Sequence, residues 1–434
     1  MVKRDEIMLN VLKSYKDYNP PDGEEQFLRE VFDTTSEDLV TVCKPVPYYK
    51  LLIIQKAIFS ILHDWEIKTR TRIKDDARGP IEYVTFDIGY GIKEDAIKEG
   101  SIVFAGPEDQ RLAVKIETNY YEHIEAAAPE VFLTCERKNK VWLEDLCMKI
   151  DEWMLKNNYF RGKKIKPDGK FLNIKKGEYA WDDIILDQSV KDEVKRNIMD
   201  YFELREIYKK NNLPAKRGMI CFGQPGTGKT LLGKVLASQI ESTFIWVSSS
   251  DVSSAKSVSS IFQMARELAP TILFFEDLDL FASIRGYNDN TKVLGELLVQ
   301  MDGFIENNDL FIVATTNDIK AIEPAMKDRP SRFDSLIEFR PFDEQLRYRM
   351  MEHLLKDRQI INGESPDILA RKVARLTDEI SGAEMKEFFT TALKLAVENK
   401  CIDENDRVIL SYDIFKKTRE KIGAGQKRLA GFGR

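Results

Sequence analysis

Residues 223–230 read Gly-Gln-Pro-Gly-Thr-Gly-Lys-Thr and fit the pattern G-x-x-x-x-G-K-[ST] at every fixed position. This octapeptide limits the possible folds sharply, because it works only between a buried strand and a helix. Gly223, Gly226 and Gly228 let the backbone wrap closely round a chain of phosphates. The N–H groups of that wrap and of the following helix face the negative charge. Lys229 is placed to reach β and γ phosphates, and the Thr230 hydroxyl to ligate Mg²⁺. The candidate nucleotide contacts are Gly223, Gln224, Pro225, Gly226, Thr227, Gly228, Lys229, Thr230 and Leu231. The flanks agree. Residues 217–222 are a short apolar run ending at the glycine. Residues 231–240 carry Leu231, Leu232, Val235 and Leu236 at helical spacing.

A second segment supplies carboxylates. Thr271-Ile-Leu-Phe-Phe-Glu-Asp-Leu-Asp279 reads as a buried strand followed by acids. A phosphate site needs one carboxylate to orient the Mg²⁺ shell and another to polarise the attacking water. Glu276 and Asp277 are the candidates.

With these two motifs in order, residues 179–422 resemble an AAA-type ATPase of the AAA+ superfamily. The resemblance implies ATP and Mg²⁺ as cofactors and ATP hydrolysis as the activity. Further motifs carry it. Phe311-Ile-Val-Ala-Thr-Thr-Asn317 is a strand ending in a polar residue, and Asn317 matches the family's water-placing sensor position. Asp328-Arg-Pro-Ser-Arg-Phe-Asp334 offers Arg329 and Arg332 at the family's two arginine-finger positions. In the family these guanidiniums act on ATP held by the neighbouring subunit, stabilising charge in the transition state. Ser381-Gly-Ala-Glu-Met385 opens a lid helix with an S-x-x-E capping box. In the family the Gly382-Ala383 pair lies close to the nucleotide. A homo-oligomeric ring, a hexamer, is implied.

Four departures stand against the family's pattern. The usual Asp-Glu at the end of the acidic strand is Glu276-Asp277 here. By register Glu276 takes the Mg²⁺ role and Asp277 the base role, with the inverse assignment open. Asp is one methylene shorter, so the water sits differently and slow hydrolysis is an expectation. The stretch Ser248 to Ser260 replaces the pore loop of protein threaders and lacks its aromatic residue. Leu186 stands in Trp181 to Ser189 where an adenine-side Gly is usual. Leu204 to Gly218 and the Glu-Asp order are similar to the branch containing the mitochondrial translocase of folded Rieske protein. That branch carries an N-terminal membrane anchor, and none is read in this sequence.

At 434 residues, two to three domains are expected. No run approaches the ~18 uncharged apolar residues a membrane span requires. Tyr48 to Trp65 is the nearest, and its Lys50, Lys56, His63 and Asp64 make it an amphipathic helix instead. The five cysteines are scattered, without a C-x-x-C pair, which fits a reducing cytosol rather than a zinc site. A cytoplasmic location follows as an expectation. The three histidines lie far apart in the chain and read as ordinary surface or helix residues. Residues 1–155 hold 21 Lys and Arg against 30 Asp and Glu, which argues against that region gripping nucleic acid. Residues 156–178 are basic, with 8 Lys and Arg against 2 acids, and read as a solvated linker that could alternatively meet a phosphate backbone.

The expected fold class is therefore α/β. A P-loop parallel-sheet ATPase core (179–343) bears a C-terminal helical lid (344–422), and an α+β N-terminal domain (1–155) precedes it. A basic linker (156–178) and a Gly-rich basic tail (423–434) complete the chain. Residues 1–78 read mainly helical. Short strands are expected at 81–88, 101–105, 111–117 and 130–135, then a helix at 141–155 with Leu143, Leu146, Cys147, Ile150 and Trp153 on one face. Ser365-Pro366 reads as an N-cap with Pro at the first helical position. The leading functional expectation is a ring ATPase that remodels a protein partner held by the N-terminal domain. Two others stay open: a slowly hydrolysing, nucleotide-gated assembly switch, and a nucleic-acid-associated ATPase in repair, mobility or defence.

Overall fold

The computed structural model describes residues 22–74, 77–89, 91–121, 126–211, 218–282, 290–302, 309–320, 333, 335–356, 358–360, 365–378 and 380–431. The chain divides into two units, Met1–Phe171 and Leu172–Arg434.

The first unit is built on an antiparallel sheet. Its strands are β1 (Leu39–Pro45), β2 (Glu66–Lys74), β3 (Ala77–Gly79), β4 (Glu82–Asp87), β5 (Lys93–Ala105), β6 (Arg111–Tyr121) and β7 (Ala126–Glu136). They lie in the order β1-β7-β6-β5-β2-β3, with β4 also paired to β5. Alternation along the strands separates two apolar faces. Ile102, Phe104, Leu112, Val114 and Ile116 pack with helices α2 (Leu51–Ile61) and α3 (Lys140–Lys156). Val103 and Ala113 point the other way, onto Phe27, Leu28 and Phe32 of α1 (Asp22–Phe32). Gln55 of α2 is buried, and its amide both donates to the Ile97 carbonyl and accepts from the Ile97 N–H, each at 2.8 Å.

The mainly helical reading of residues 1–78 is corrected by β1 and β2. β1 is placed by a strand far along the chain, Leu39 opposite Glu136, and β2 by distant β5, Glu66 opposite Ala105, as well as by the adjacent β3. The stretch expected as a solvated linker is packed in its first part. The buried Phe160 ring lies 5.6 Å from both Tyr49 and Phe171.

The second unit opens with helix α4 (Gln188–Lys210) and continues as an alternation of strand and helix: β8 (Gly218–Phe222), α5 (Lys229–Gln239), β9 (Thr243–Val247), α6 (Ala255–Glu267), β10 (Thr271–Phe275), α7 (Leu278–Ala282), α8 (Asn290–Asp302), β11 (Leu310–Thr316) and β12 (Ser335–Glu338). The strands pair in parallel in the order β12-β8-β11-β10-β9. β8, β9, β10 and β11 are buried apolar runs, as parallel strands covered on both faces must be, whereas the edge strand β12 buries only Ile337. Gly233 of α5 lets that helix approach the sheet closely, since a Cβ there would meet Phe274 at 2.6 Å.

Beyond β12 come the helices α9 (Glu344–Leu355), α10 (Pro366–Leu376), α11 (Gly382–Glu398) and α12 (Tyr412–Gly431) around a core of Met351, Leu369, Val373, Met385 and Phe415. Three details differ from expectation. A two-stranded parallel pair, Gln359–Ile360 with Ile409–Leu410, lies among these helices. Ser365 occupies the N-cap position with Pro366 following, but its side chain makes no cap bond. The helix α12 runs on to Gly431, so residues 423–431, expected as a tail, have helical backbone. Gln426, Lys427, Arg428, Leu429 and Ala430 are good helix formers and offset the glycines.

Candidate functional site

Ligand sites in open parallel sheets lie beyond the carboxyl ends of the strands. Here three such ends converge. Strand β11 pairs with β8 on one side and β10 on the other, with Thr316 opposite Phe222 and Ala314 opposite Phe275. The glycine-rich loop leaves β8, Asn317 leaves β11, and Glu276 and Asp277 leave β10. The N–H of Gly223 donates to the Thr316 carbonyl at 3.3 Å.

The loop has the conformation the octapeptide requires. Gly226 and Gly228 have φ of +80° and +105°, in the left-handed region open to glycine. A Cβ on Gly223 would lie 2.1 Å from the Phe339 carbonyl oxygen. Lys229, only 5 % exposed, donates to the carbonyls of Gly223 and Gln224 at 2.7 and 2.9 Å. Burial pulls its ammonium below the usual lysine range, opposed by Asp277 and Asp279. A buried cation whose hydrogen bonds among the described residues go to neutral carbonyls of the loop suits an incoming polyphosphate. Thr227 donates to the Gln224 carbonyl at 2.8 Å and closes the turn, while Pro225 stiffens it. Leu231 sits on α5 and packs at the edge of the core.

Thr230 donates to Glu276 Oε1 at 2.7 Å. A hydroxyl and a carboxylate this close are an oxygen pair of the kind a hard divalent cation takes. These two residues would hold Mg²⁺, which would neutralise phosphate charge. Asp277 has φ +52° and anchors its N–H on the Thr315 hydroxyl at 3.0 Å. Burial raises its pKa, with Glu276 and Asp279 adding to the shift; Lys229 and Asn317 oppose it. A raised carboxylate is a stronger base. Asn317 Nδ2 donates to Asp277 Oδ1 at 3.3 Å. The Asn317 N–H and the Thr316 hydroxyl both donate to Asp279 Oδ1, at 3.0 and 2.8 Å.

The lid reaches the same loop. Ser381 and Glu384 form the capping box, with bonds of 3.3 and 2.7 Å. The Ala383 N–H donates to the Gly226 carbonyl at 3.0 Å, and Gly382 lies against Phe342. On the opposite side Ile184 approaches Gly228. Leu186, where the family has glycine, is buried, and its carbonyl accepts from Arg349 at 3.0 Å. Arg329 and Arg332 lie outside the described residues. Ser248 to Asp251 form a capped turn and Ala255 begins α6, so the Ser-rich stretch is largely ordered structure. Sequence reasoning missed Thr315, the ordering role of Asp279, and Trp246, whose indole donates to Glu276 Oε2 at 2.9 Å. Only the β9–β10 register could have pointed to Trp246.

Residues 219–341 match the ATPase family associated with various cellular activities, AAA. The chain carries an AAA ATPase domain. Relatives extend the likeness beyond this AAA domain. A proteasome-activating nucleotidase of Methanopyrus kandleri is 29% identical over 58% of this chain and 58% of its own length. The corresponding protein of Thermococcus kodakarensis is 32% identical over 52% of this chain and 57% of its own. Protein SAV of Sulfolobus acidocaldarius is 30% identical over 48% and 27%. The chain thus spans under three fifths of the length of these relatives. Among the described residues no helix is long and apolar enough to cross a membrane.

Proposed function

We propose that this protein hydrolyses ATP with Mg²⁺ at the junction of subunits in a homo-oligomeric ring, a hexamer, and uses the cycle to remodel a protein partner. The observation that carries the reading is the meeting of Thr230 with Glu276 and of Asn317 with Asp277 beside the buried Lys229. Lys229 binds the β and γ phosphates, and Glu276 and Thr230 hold the cation. Asp277 draws the proton from a water positioned by Asn317. Arg329 and Arg332 complete the site from the neighbouring subunit. Gly382 and Ala383 carry the nucleotide's state into the lid. The names of two relatives, proteasome-activating nucleotidases, favour a protein substrate, and the N-terminal unit is its docking element. A cytoplasmic setting belongs to the same proposal, in keeping with Cys43, Cys135, Cys147, Cys221 and Cys401 being thiols rather than disulfides.

The Glu276-Asp277 order and the serine-rich 248–260 stretch favour a second reading, a slow switch whose assembled ring is itself the signal. The likeness to the Rieske-protein translocase branch, which rests on Leu204 to Gly218 and on that same order, belongs to the proposal as well. Lys229→Ala tests both. Affinity for ATP should fall at least ~100-fold on loss of the charged contacts. Unchanged affinity refutes the site.

A further inference from the structure

Glu276 is held at both of its oxygens. Thr230 Oγ1 donates to Oε1 at 2.7 Å, and Trp246 Nε1 donates to Oε2 at 2.9 Å. Trp246 comes from the neighbouring strand, where it stands opposite Phe274, two residues before Glu276. Side chains two apart share a sheet face, so the indole and the carboxylate meet there. The indole has no freedom to turn away. It is 8 % exposed, its ring lies 4.6 Å from Phe274, and Gly233 leaves room for it where a Cβ would come within 2.9 Å.

Glutamate has one more rotatable bond than the aspartate the family places here. Left free, that bond lets the carboxylate wander between the cation and the water. Two donors on opposite oxygens remove that freedom. Each oxygen keeps a second lone pair for a further partner.

We propose that Trp246 is a positioning residue that fixes Glu276 for the cation shell by donating its indole N–H to Oε2. The clamp keeps Glu276 away from the attacking water and leaves the base role to Asp277. This inference rests on the nucleotide-site reading above.

The test compares ATPγS affinity with Mg²⁺ and with EDTA in the full chain, by calorimetry. Trp246→β-(3-benzothienyl)alanine keeps the bicyclic shape and replaces the N–H by sulfur. Trp246→Phe is the second variant. The gain in affinity from Mg²⁺ should shrink at least ~10-fold in both, the loss expected for a hydrogen bond to a charged group. Affinity in EDTA and the melting temperature of the benzothienyl variant should match wild type. A Mg²⁺ gain within about twofold of wild type in the isostere overturns the clamp alone, since a bond to a charged group is worth more than that. Wild type that fails to bind ATPγS, or gains nothing from Mg²⁺, overturns the nucleotide site and the clamp with it.

Discussion

The backbone N–H of Ala383 donates to the carbonyl of Gly226 across 3.0 Å, joining the first turn of α11 to the glycine-rich loop. The two pieces touch without space to spare. A Cβ on Gly226 would lie 2.8 Å from both the Ala383 Cβ and the Ser381 Oγ, at a φ of +80°. Gly226→Ala should therefore cost ~1–2 kcal/mol in backbone strain alone and push α11 off the loop. The expected outcome is at least ~10-fold weaker nucleotide binding with a lowered melting temperature, since 1.4 kcal/mol is a factor of ten. Unaltered affinity would show that the lid contact plays no part in binding.

Asp277 and Glu276 separate cleanly by mutation. Asp277→Asn should preserve nucleotide and Mg²⁺ binding and lower turnover by about 10²–10⁴-fold, the contribution of a general base. Glu276→Gln should leave EDTA-state affinity alone and reduce the gain from Mg²⁺. If Glu276→Gln abolishes turnover with metal affinity intact, the two roles are inverted.

Asn317 donates to Asp277 Oδ1, and in the proposed mechanism it also places the attacking water. Asn317→Ala should cut kcat by about 10²-fold, as loss of one preorganised donor does, with nucleotide affinity unchanged. An equal loss of affinity and rate would instead make Asn317 a binding residue.

In the first unit, Gln55→Leu should leave the Ile97 N–H and carbonyl buried without partners. Each orphaned group costs ~1–3 kcal/mol, so a loss of roughly 2–5 kcal/mol is expected in chemical denaturation. ATP affinity should not change, because Gln55 belongs to the unit without the glycine-rich loop. A stability within 0.5 kcal/mol of wild type, the size of an ordinary surface effect, would contradict the assigned clip.

How much of this was legible from residues alone varies with the range of the interaction. The loop 223–230, the strand before it and the helix after it were legible because the signal is local and chemically specific. The Ser381–Glu384 capping box was legible for the same reason, spanning a single turn. Strand β1 was not. Its identity depends on pairing Leu39 with Glu136, nearly a hundred residues away. Alternation in Glu-Ile-Lys-Thr-Arg-Thr-Arg-Ile-Lys, residues 66–74, was a usable strand signal that the neighbouring helical pattern obscured. Trp246 was invisible for a different reason. An apolar residue in an apolar strand reads as core, and only the register opposite Phe274 brings its N–H to Glu276.

The central claim is an ATPase site completed by a neighbouring copy through Arg329 and Arg332. The most direct test is the ATP hydrolysis rate per protomer across a wide range of protein concentration, with Asp277→Asn as the blank. The rate per protomer should rise steeply with concentration, and Arg329→Ala or Arg332→Ala should abolish the rise without loss of ATP binding. A rate that is flat across the range while ATP is bound, or one that survives both arginine substitutions, would contradict it.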